Sequence, residues 1–166
     1  MPDDHILYAF QNSQCIIKLR GEIKYTISRD LEFVINLALE NPDVHQFVID
    51  LTETIYIDST NLGLLVKIGV WSRKNNLEPS IIFSTHQDVN FTLENLGVDK
   101  LFVLVQEFPQ QFDEFQAAKW TDDEDPRTRA QRILEAHRLL LPLKPENELK
   151  FKSVINLLER ELNAPA

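Results

Sequence analysis

The chain has 166 residues, of which 43% are hydrophobic and 26% are charged, and its formal net charge is −9. These fractions are close to the averages for globular proteins, which excludes intrinsic disorder and collagen-like structure. The longest apolar run, at residues 62–70, is much shorter than the roughly 20 residues of a membrane-spanning helix. We therefore predict one folded domain, or a small domain with an appendage, that has no membrane partner.

The N-terminus and the cysteine content predict a cytoplasmic protein. Residues 1–5 read MPDDH, which lacks the basic and apolar regions of a secretory signal. Cys15 is the only cysteine, so neither an internal disulfide nor a cysteine metal cluster is possible, as is usual in a reducing compartment. The four histidines lie in separate predicted elements without ligand-spaced companions. We therefore predict no metal and no cofactor.

The acidic charge is concentrated in the first part of the chain. Residues 1–119 carry 17 acidic and 9 basic side chains, whereas residues 120–166 carry 9 and 8. An acidic surface repels the phosphate backbone of nucleic acids, whose binding depends on Lys and Arg. Nucleic acid is therefore not a predicted partner.

Hydrophobic periodicity predicts alternating strands and helices up to about residue 118. Two β-rich segments joined by the polar QNSQ predict a hairpin of strands at 6–10 and 15–20. The later predicted strands are apolar runs, typical of strands buried on both faces, at 46–51, 81–84 and 101–105. The predicted helices show apolar spacings of three and four, at 27–39, 59–75, 91–97 and 112–120. This alternation indicates an α/β domain with a partly parallel sheet.

Beyond the polar segment TDDEDP at 121–126, two apolar stripes at helical spacing predict a C-terminal helical hairpin. Such a short hairpin buries little surface alone, so we expect it to pack on the α/β domain, on a copy of itself or on a partner. His137 lies on the first stripe and is interpreted as a packed or partly exposed residue and not as a switch. The predicted domains are residues 1–120 and residues 121–166. The acids before the hairpin are interpreted as a solvated linker; they are Asp122, Asp123, Glu124 and Asp125.

The segment from Asp58 to Gly63 reads D-S-T-N-L-G and leads into the predicted helix at 59–75. Asp, Ser, Thr and Asn are preferred N-cap residues, because their side-chain oxygens accept the free N–H groups of the first helical turn. Taken alone, the segment predicts a helix cap.

The wider pattern resembles the STAS superfamily, typified by bacterial anti-sigma factor antagonists. The segments that carry the resemblance are GEI at 21–23, FVIDLTET at 47–54, IYIDSTNLGLL at 55–65, IIFS at 81–84, L-x-N-L-G at 93–97 and LFVLV at 101–105. Their order and spacing fit the family over about residues 6–118. Asn61 departs from the D-[ST]-[ST]-G-L-G signature, in which the family has glycine at that position. The resemblance implies a STAS-like mixed sheet with flanking helices, followed here by the C-terminal helical hairpin.

The resemblance also implies a function. Ser59 occupies the position of the phospho-acceptor serine, Asp58 is the preceding acid and Thr60 is the second hydroxyl residue. In this family the unphosphorylated antagonist binds an anti-sigma factor, often itself a serine kinase, and frees a sigma factor; a PP2C-like serine phosphatase resets the cycle. The hairpin is similar to that of extended antagonists of gamma-proteobacteria that act in motility and biofilm control. We expect a non-enzymatic monomer or weak homodimer.

The helix after Ser59 carries two apolar faces. The first is expected to face the core and comprises Leu62, Leu65, Val66 and Gly69. The second comprises Leu64, Ile68 and Trp71 and is either buried under the hairpin or exposed as a partner surface. The expected partner-binding residues are Asp58, Thr60, Asn61, Leu64, Ile68 and Trp71.

Two other functions stay open, and an enzyme is disfavoured. The chain could be a scaffold that binds proteins through its helices without phosphorylation, or a STAS sensor that binds a small molecule or nucleotide. An enzyme would need a base for Ser59, and His86 after the strand at 81–84 is the only plausible one. The G-x-S-x-G and G-x-x-x-x-G-K-[ST] motifs are absent.

Overall fold

The computed structural model describes residues 4–108, 111–120 and 123–165. Its strands are β1 (Ile6–Gln11), β2 (Gln14–Ile23), β3 (Gln46–Ile57), β4 (Ile81–Phe83), β5 (Val103–Val105) and β6 (Gln116–Ala117). Its helices are α1 (Ser28–Leu39), α2 (Ser59–Lys74), α3 (Gln87–Leu96), α4 (Pro126–Leu140) and α5 (Pro145–Asn163). Short 3-10 turns occupy Tyr25–Ile27, Val98–Leu101 and Leu141–Leu143.

The described strands form one mixed sheet in the order β5-β4-β3-β2-β1-β6. The pairs β2–β3, β3–β4 and β4–β5 are parallel, whereas β1 pairs antiparallel with β2 and with β6. The β1–β2 turn places Asn12 and Ser13 at positive φ, as a tight two-residue hairpin of this kind requires. The predicted α/β class with a partly parallel sheet is confirmed.

The central strand β3 is longer than the predicted strand at 46–51. It continues to Ile57 because β2 runs beside it to Ile23 with two register shifts. The hydroxyl of the buried Thr54 donates to the carbonyl of Leu19 across this pair, at 2.8 Å. The β3 backbone therefore leads directly into α2.

The helix predicted at 112–120 is wrong. Residues 116–117 form β6, in which Ala117 pairs with Leu7 and Gln116 pairs with Tyr8. The Tyr8 hydroxyl donates to the Gln116 side-chain carbonyl at 3.0 Å. The segment extends the sheet because β1 would otherwise present an open edge of unpaired backbone groups.

The C-terminal hairpin, formed by α4 and α5, packs against α2 and joins the hydrophobic cluster of the α/β domain. Its buried members are Leu134, Leu140, Phe151, Ile155 and Leu158. On the second α2 face, Leu64 and Ile68 are 3% and 0% exposed, whereas Trp71 is half-buried and meets Phe47 of β3. No helix within the described ranges is both long enough and apolar enough to cross a membrane.

Candidate functional site

The site begins where β3 ends and α2 starts, at Asp58. The Asp58 carboxylate accepts hydrogen bonds from the Asn61 backbone N–H at 3.0 Å, from the Asn61 side-chain amide at 2.9 Å and from the Tyr25 backbone N–H. The Asp58 N–H donates in turn to the Ile23 carbonyl at 3.0 Å. The predicted helix cap is thus Asp58, and it joins the ends of β2, β3 and α2.

Ser59, the first residue of α2, is half-buried, and its hydroxyl contacts a histidine of the hairpin. Ser59 Oγ lies 2.8 Å from Nε2 of His137, whose Nδ1 lies 2.7 Å from the Ile133 carbonyl oxygen. Since a carbonyl only accepts, Nδ1 carries a hydrogen; in the neutral ring Nε2 then accepts the Ser59 proton. His137 is 4% exposed, and its ring meets Phe151 edge-on at 5.2 Å. The imidazole is therefore held on three sides.

One turn after Ser59, the backbones of α2 and α4 touch at Gly63. A Cβ atom at Gly63 would lie 2.2 Å from the Ala136 carbonyl oxygen and 2.8 Å from its Cα atom. Real Cβ atoms do not approach backbone atoms so closely, so only glycine allows this helix crossing. Gly63, the last residue of the D-S-T-N-L-G segment, therefore allows the hairpin to pack closely against α2.

Arg132 ties α4 to the rest of the molecule. Its buried guanidinium pairs closely with Glu124, lies 3.1 Å from a Glu32 carboxylate oxygen on α1 and donates to the Ser28 hydroxyl at 3.3 Å. Burial alone would lower the pKa of Arg132, but hydrogen bonds to Glu124 and Glu32 raise it above its usual value. The hydrogen bond from Arg132 lowers the pKa of Glu124.

This ion pair corrects the interpretation as a solvated linker at Glu124, whereas Asp123 and Asp125 are exposed. The Glu124 side chain is 7% exposed, because it pairs with the guanidinium of the buried Arg132. Asp125 does favour the helix start, since it is the N-cap of α4 and accepts from the Arg127 N–H at 3.4 Å. Asp122 lies outside the described residues.

The turn of the hairpin is fastened by a second set of bonds. The buried Asn147 side-chain amide donates to the carbonyls of Leu96 at 2.9 Å and Leu140 at 2.7 Å. Lys100 Nζ donates to the Leu143 carbonyl at 3.2 Å. Both ends of α4 are thus anchored to the α/β domain.

A family model described as the STAS domain matches residues 5–114. The chain belongs to the STAS domain family. A search of curated proteins found no match. The hairpin formed by α4 and α5 lies outside the matched residues, and the division into 1–120 and 121–166 stays a prediction.

Three solved structures share the STAS fold. The chain is similar to the unphosphorylated anti-sigma factor antagonist SpoIIAA, with 14% identity, coverage of 61% of this chain and 87% of that chain, and a TM-score of 0.51. An anti-sigma factor antagonist from Mycobacterium paratuberculosis gives 19% identity, coverage of 61% and 85%, and a TM-score of 0.51. Phosphorylated SpoIIAA of Bacillus gives 15% identity, coverage of 61% and 90%, and a TM-score of 0.50.

Most of the expected partner-binding residues are buried in this STAS domain. Thr60 is 4% exposed and Asn61 is fully buried, whereas Asp58 and Trp71 are half-buried. The Asn61 amide donates to Asp58 and, at 3.3 Å, to the Ile23 carbonyl, so the side chain that replaces the family glycine points inward. The partner-binding role of these residues stays a prediction.

The histidine beside Ser59 was not predicted correctly. His86, the predicted base, precedes α3 as its N-cap residue, and His137 is the residue that contacts Ser59. No sequence signal joins two residues 78 positions apart on separate elements. Within the described part of the chain, no three His, Cys, Asp or Glu side chains are grouped so that they could hold a metal ion.

Exposed apolar residues around the cap were also not predicted from the sequence. Tyr25, whose N–H donates to Asp58, is 47% exposed. Ile55 and Tyr56, at the end of β3, are 62% and 49% exposed. These three residues, here called the rim, are exposed apolar side chains on the segments that lead into the cap, and hydrophobic periodicity does not reveal them.

Proposed function

We propose that the chain is a non-catalytic partner-switching regulator of the anti-sigma factor antagonist type. When Ser59 is unphosphorylated, the protein binds an anti-sigma factor and frees a sigma factor. The observation that carries the proposal is the place of Ser59 in a STAS domain: it is the half-buried first residue of α2, directly after the Asp58 cap. The existence of SpoIIAA in unphosphorylated and phosphorylated forms supports it.

The charge of a phosphate explains how such a switch works. A phosphate on Ser59 adds about −1.5 to −2 charges at the start of a helix, where the dipole and the free N–H groups favour an anion. Two unit charges ~4 Å apart interact by about 1 kcal/mol in water and roughly 4 kcal/mol at an effective dielectric of 20. Beside Asp58, and against an acidic or apolar partner surface, the phosphate therefore weakens binding by about tenfold or more.

The proposed partners are an anti-sigma factor that binds this surface, a serine kinase and a PP2C-like serine phosphatase, all in the cytoplasm. The rim residues Tyr25, Ile55 and Tyr56 supply exposed apolar area on the segments that lead into the Asp58 cap. Such a surface provides affinity through apolar contact, while the charge state of Ser59 decides whether contact forms.

Two measurements test the function. Intact-mass analysis of the protein from its native cell should find a phosphoform, heavier by ~80 Da, that maps to Ser59. In an affinity pull-down, Ser59→Ala should retain the partner that the wild type binds, and Ser59→Asp should weaken it by about tenfold. Ser153→Asp is the matched control, because Ser153 is exposed on α5.

Equal partner binding by the Ser59→Ala and Ser59→Asp proteins would contradict the switch. It would instead favour the scaffold function, in which binding through the helices does not depend on the charge at Ser59.

A further inference from the structure

The face of α2 that begins at Ser59 is already covered by another part of the same chain. The Ser59 hydroxyl is hydrogen-bonded to Nε2 of His137 in α4, and the α4 backbone touches α2 at Gly63. Leu64 lies beside Ala136 and Leu139 of α4. A docked protein and α4 therefore require the same space.

Small side-chain movements do not free this space. The His137 ring cannot swing away without losing the Nδ1 hydrogen bond to the Ile133 carbonyl and the edge contact with Phe151. The contact at Gly63 is between backbones, so no rotamer change separates the two helices there. Access to the start of α2 requires α4 itself to move.

We propose that the C-terminal hairpin competes with a phosphoryl group on Ser59, and with a docked partner, for the same face of α2. This inference rests on the proposed function, in which Ser59 is the modified residue. A phosphoester replaces the hydroxyl hydrogen, so Ser59 loses the proton that it donates to His137. The His137 ring, whose Nε2 lies 2.8 Å from Ser59 Oγ, occupies the position into which a phosphoryl group on Oγ would extend along that direction.

The contacts of the hairpin define a closed state of the unphosphorylated protein. Arg132 binds Glu124 and Glu32, and Asn147 binds the Leu96 carbonyl, so the closed hairpin is anchored at both ends. The hairpin must open before a kinase reaches Ser59 or a partner reaches Leu64. It therefore limits both modification and binding, and it lies outside the residues that the STAS family model matches.

The first test opens the hairpin in the full-length protein without any phosphate. Gly63→Ala places a methyl group against the Ala136 carbonyl oxygen and suits the helix that it stands in. By hydrogen–deuterium exchange, amides at 126–163 should exchange faster by about tenfold or more, and by a larger factor than those at 46–51. Ser72→Ala is the control, because this buried α2 hydroxyl donates to the Ile68 carbonyl of its own helix.

The second test introduces phosphoserine at position 59 during translation, with phosphoserine at Ser153 as the control of equal charge. The first protein should show the faster exchange at 126–163, and the second should match the wild type. If the Gly63→Ala protein fails to fold, the comparison of the two phosphoserine proteins is sufficient to test the proposal. Unchanged or slowed hairpin exchange with phosphoserine at Ser59 would overturn the proposal, since the phosphate would then fit beside the closed hairpin or be bound by His137.

The two proposals fail separately. Absence of a Ser59 phosphoform in native cells would contradict the proposed function, but it would not alter the exchange of the Gly63→Ala protein. A hairpin that exchanges at the wild-type rate in both the Gly63→Ala and phosphoserine proteins would overturn the competition, while Ser59 phosphorylation could still be found.

Discussion

Ser59 makes its side-chain hydrogen bond to His137, a residue from the other end of the chain. The hydroxyl donates to a buried imidazole whose second nitrogen is occupied by the Ile133 carbonyl. Removing the hydroxyl leaves a buried acceptor without its donor, which costs more than losing an exposed hydrogen bond. Ser59 is therefore coupled to the hairpin even before any phosphate is added.

We expect this coupling to appear in a double-mutant cycle of Ser59→Ala and His137→Phe. The free energies of unfolding, measured by urea denaturation, should deviate from additivity by about 0.5–1.5 kcal/mol, the net contribution of one hydrogen bond. A cycle of Ser72→Ala with His137→Phe should be additive, since Ser72 bonds within α2. Additivity in the Ser59 cycle would mean that the 2.8 Å contact contributes nothing to stability.

The sequence predicted that Ser59 is the site residue, but it did not predict which side chains surround Ser59. The D-S-T-N-L-G segment locates Ser59 and the Asp58 cap, because capping and the STAS signature are local patterns. His137 was correctly interpreted as packed, yet its contact with Ser59 depends on how two distant helices cross. Gly63 allows α2 and α4 to cross at this point, but a glycine in a helical sequence does not indicate which residue packs against it.

Among the elements, the errors occur where local patterns are ambiguous. The apolar spacing of residues 112–120 suits a helix, but the need of β1 for an edge partner makes residues 116–117 a strand. The acids of 122–125 look like a solvated linker, because the partner of Glu124 lies one helix further on, at Arg132. Both outcomes are decided by tertiary contacts that local periodicity does not contain.

The Glu124–Arg132 pair gives the anchoring of α4 a defined pH dependence. The pKa of Glu124 is below its usual 4.5 in the folded protein. The ionised carboxylate therefore stabilises the fold above pH 4.5, and this stability is lost as the pH falls below that value through the folded pKa. Glu124→Gln should reduce the free energy of unfolding at pH 7 by about 1–3 kcal/mol.

The difference between the wild type and the Glu124→Gln protein should shrink as the pH falls below 4.5, when measured by urea denaturation at a series of pH values. The pKa of Asp30 is raised, first by burial and to a smaller extent by the Glu124 charge, so the contribution of Asp30 to the pH dependence has the opposite sign. A difference that stays constant down to pH 3 would show that the buried pair does not depend on the charge of Glu124.

At the scale of the whole molecule, the hairpin is a part of the core and not an appendage. Leu140 and Phe151 belong to the same hydrophobic cluster as Leu64 of α2 and Ile49 of the central strand. The sequence predicted that the two hairpin stripes must be buried, but it left open whether the domain, a copy or a partner covers them. Periodicity identifies an apolar face, whereas the surface that covers the face depends on the crossing of α2 and α4.

A shared core predicts that the sheet and the hairpin unfold together. Trp71 meets Phe47 of β3 edge-on at 5.4 Å, so its fluorescence in a Trp120→Phe protein reports the α/β domain. Pulsed hydrogen exchange of residues 145–163 at each urea concentration reports the hairpin. The two midpoints should coincide, because unfolding α4 and α5 alone would expose the α2 face to water at about 25 cal/mol per Å² of apolar surface. A hairpin midpoint at lower urea would instead show two cooperative units joined by a weaker contact.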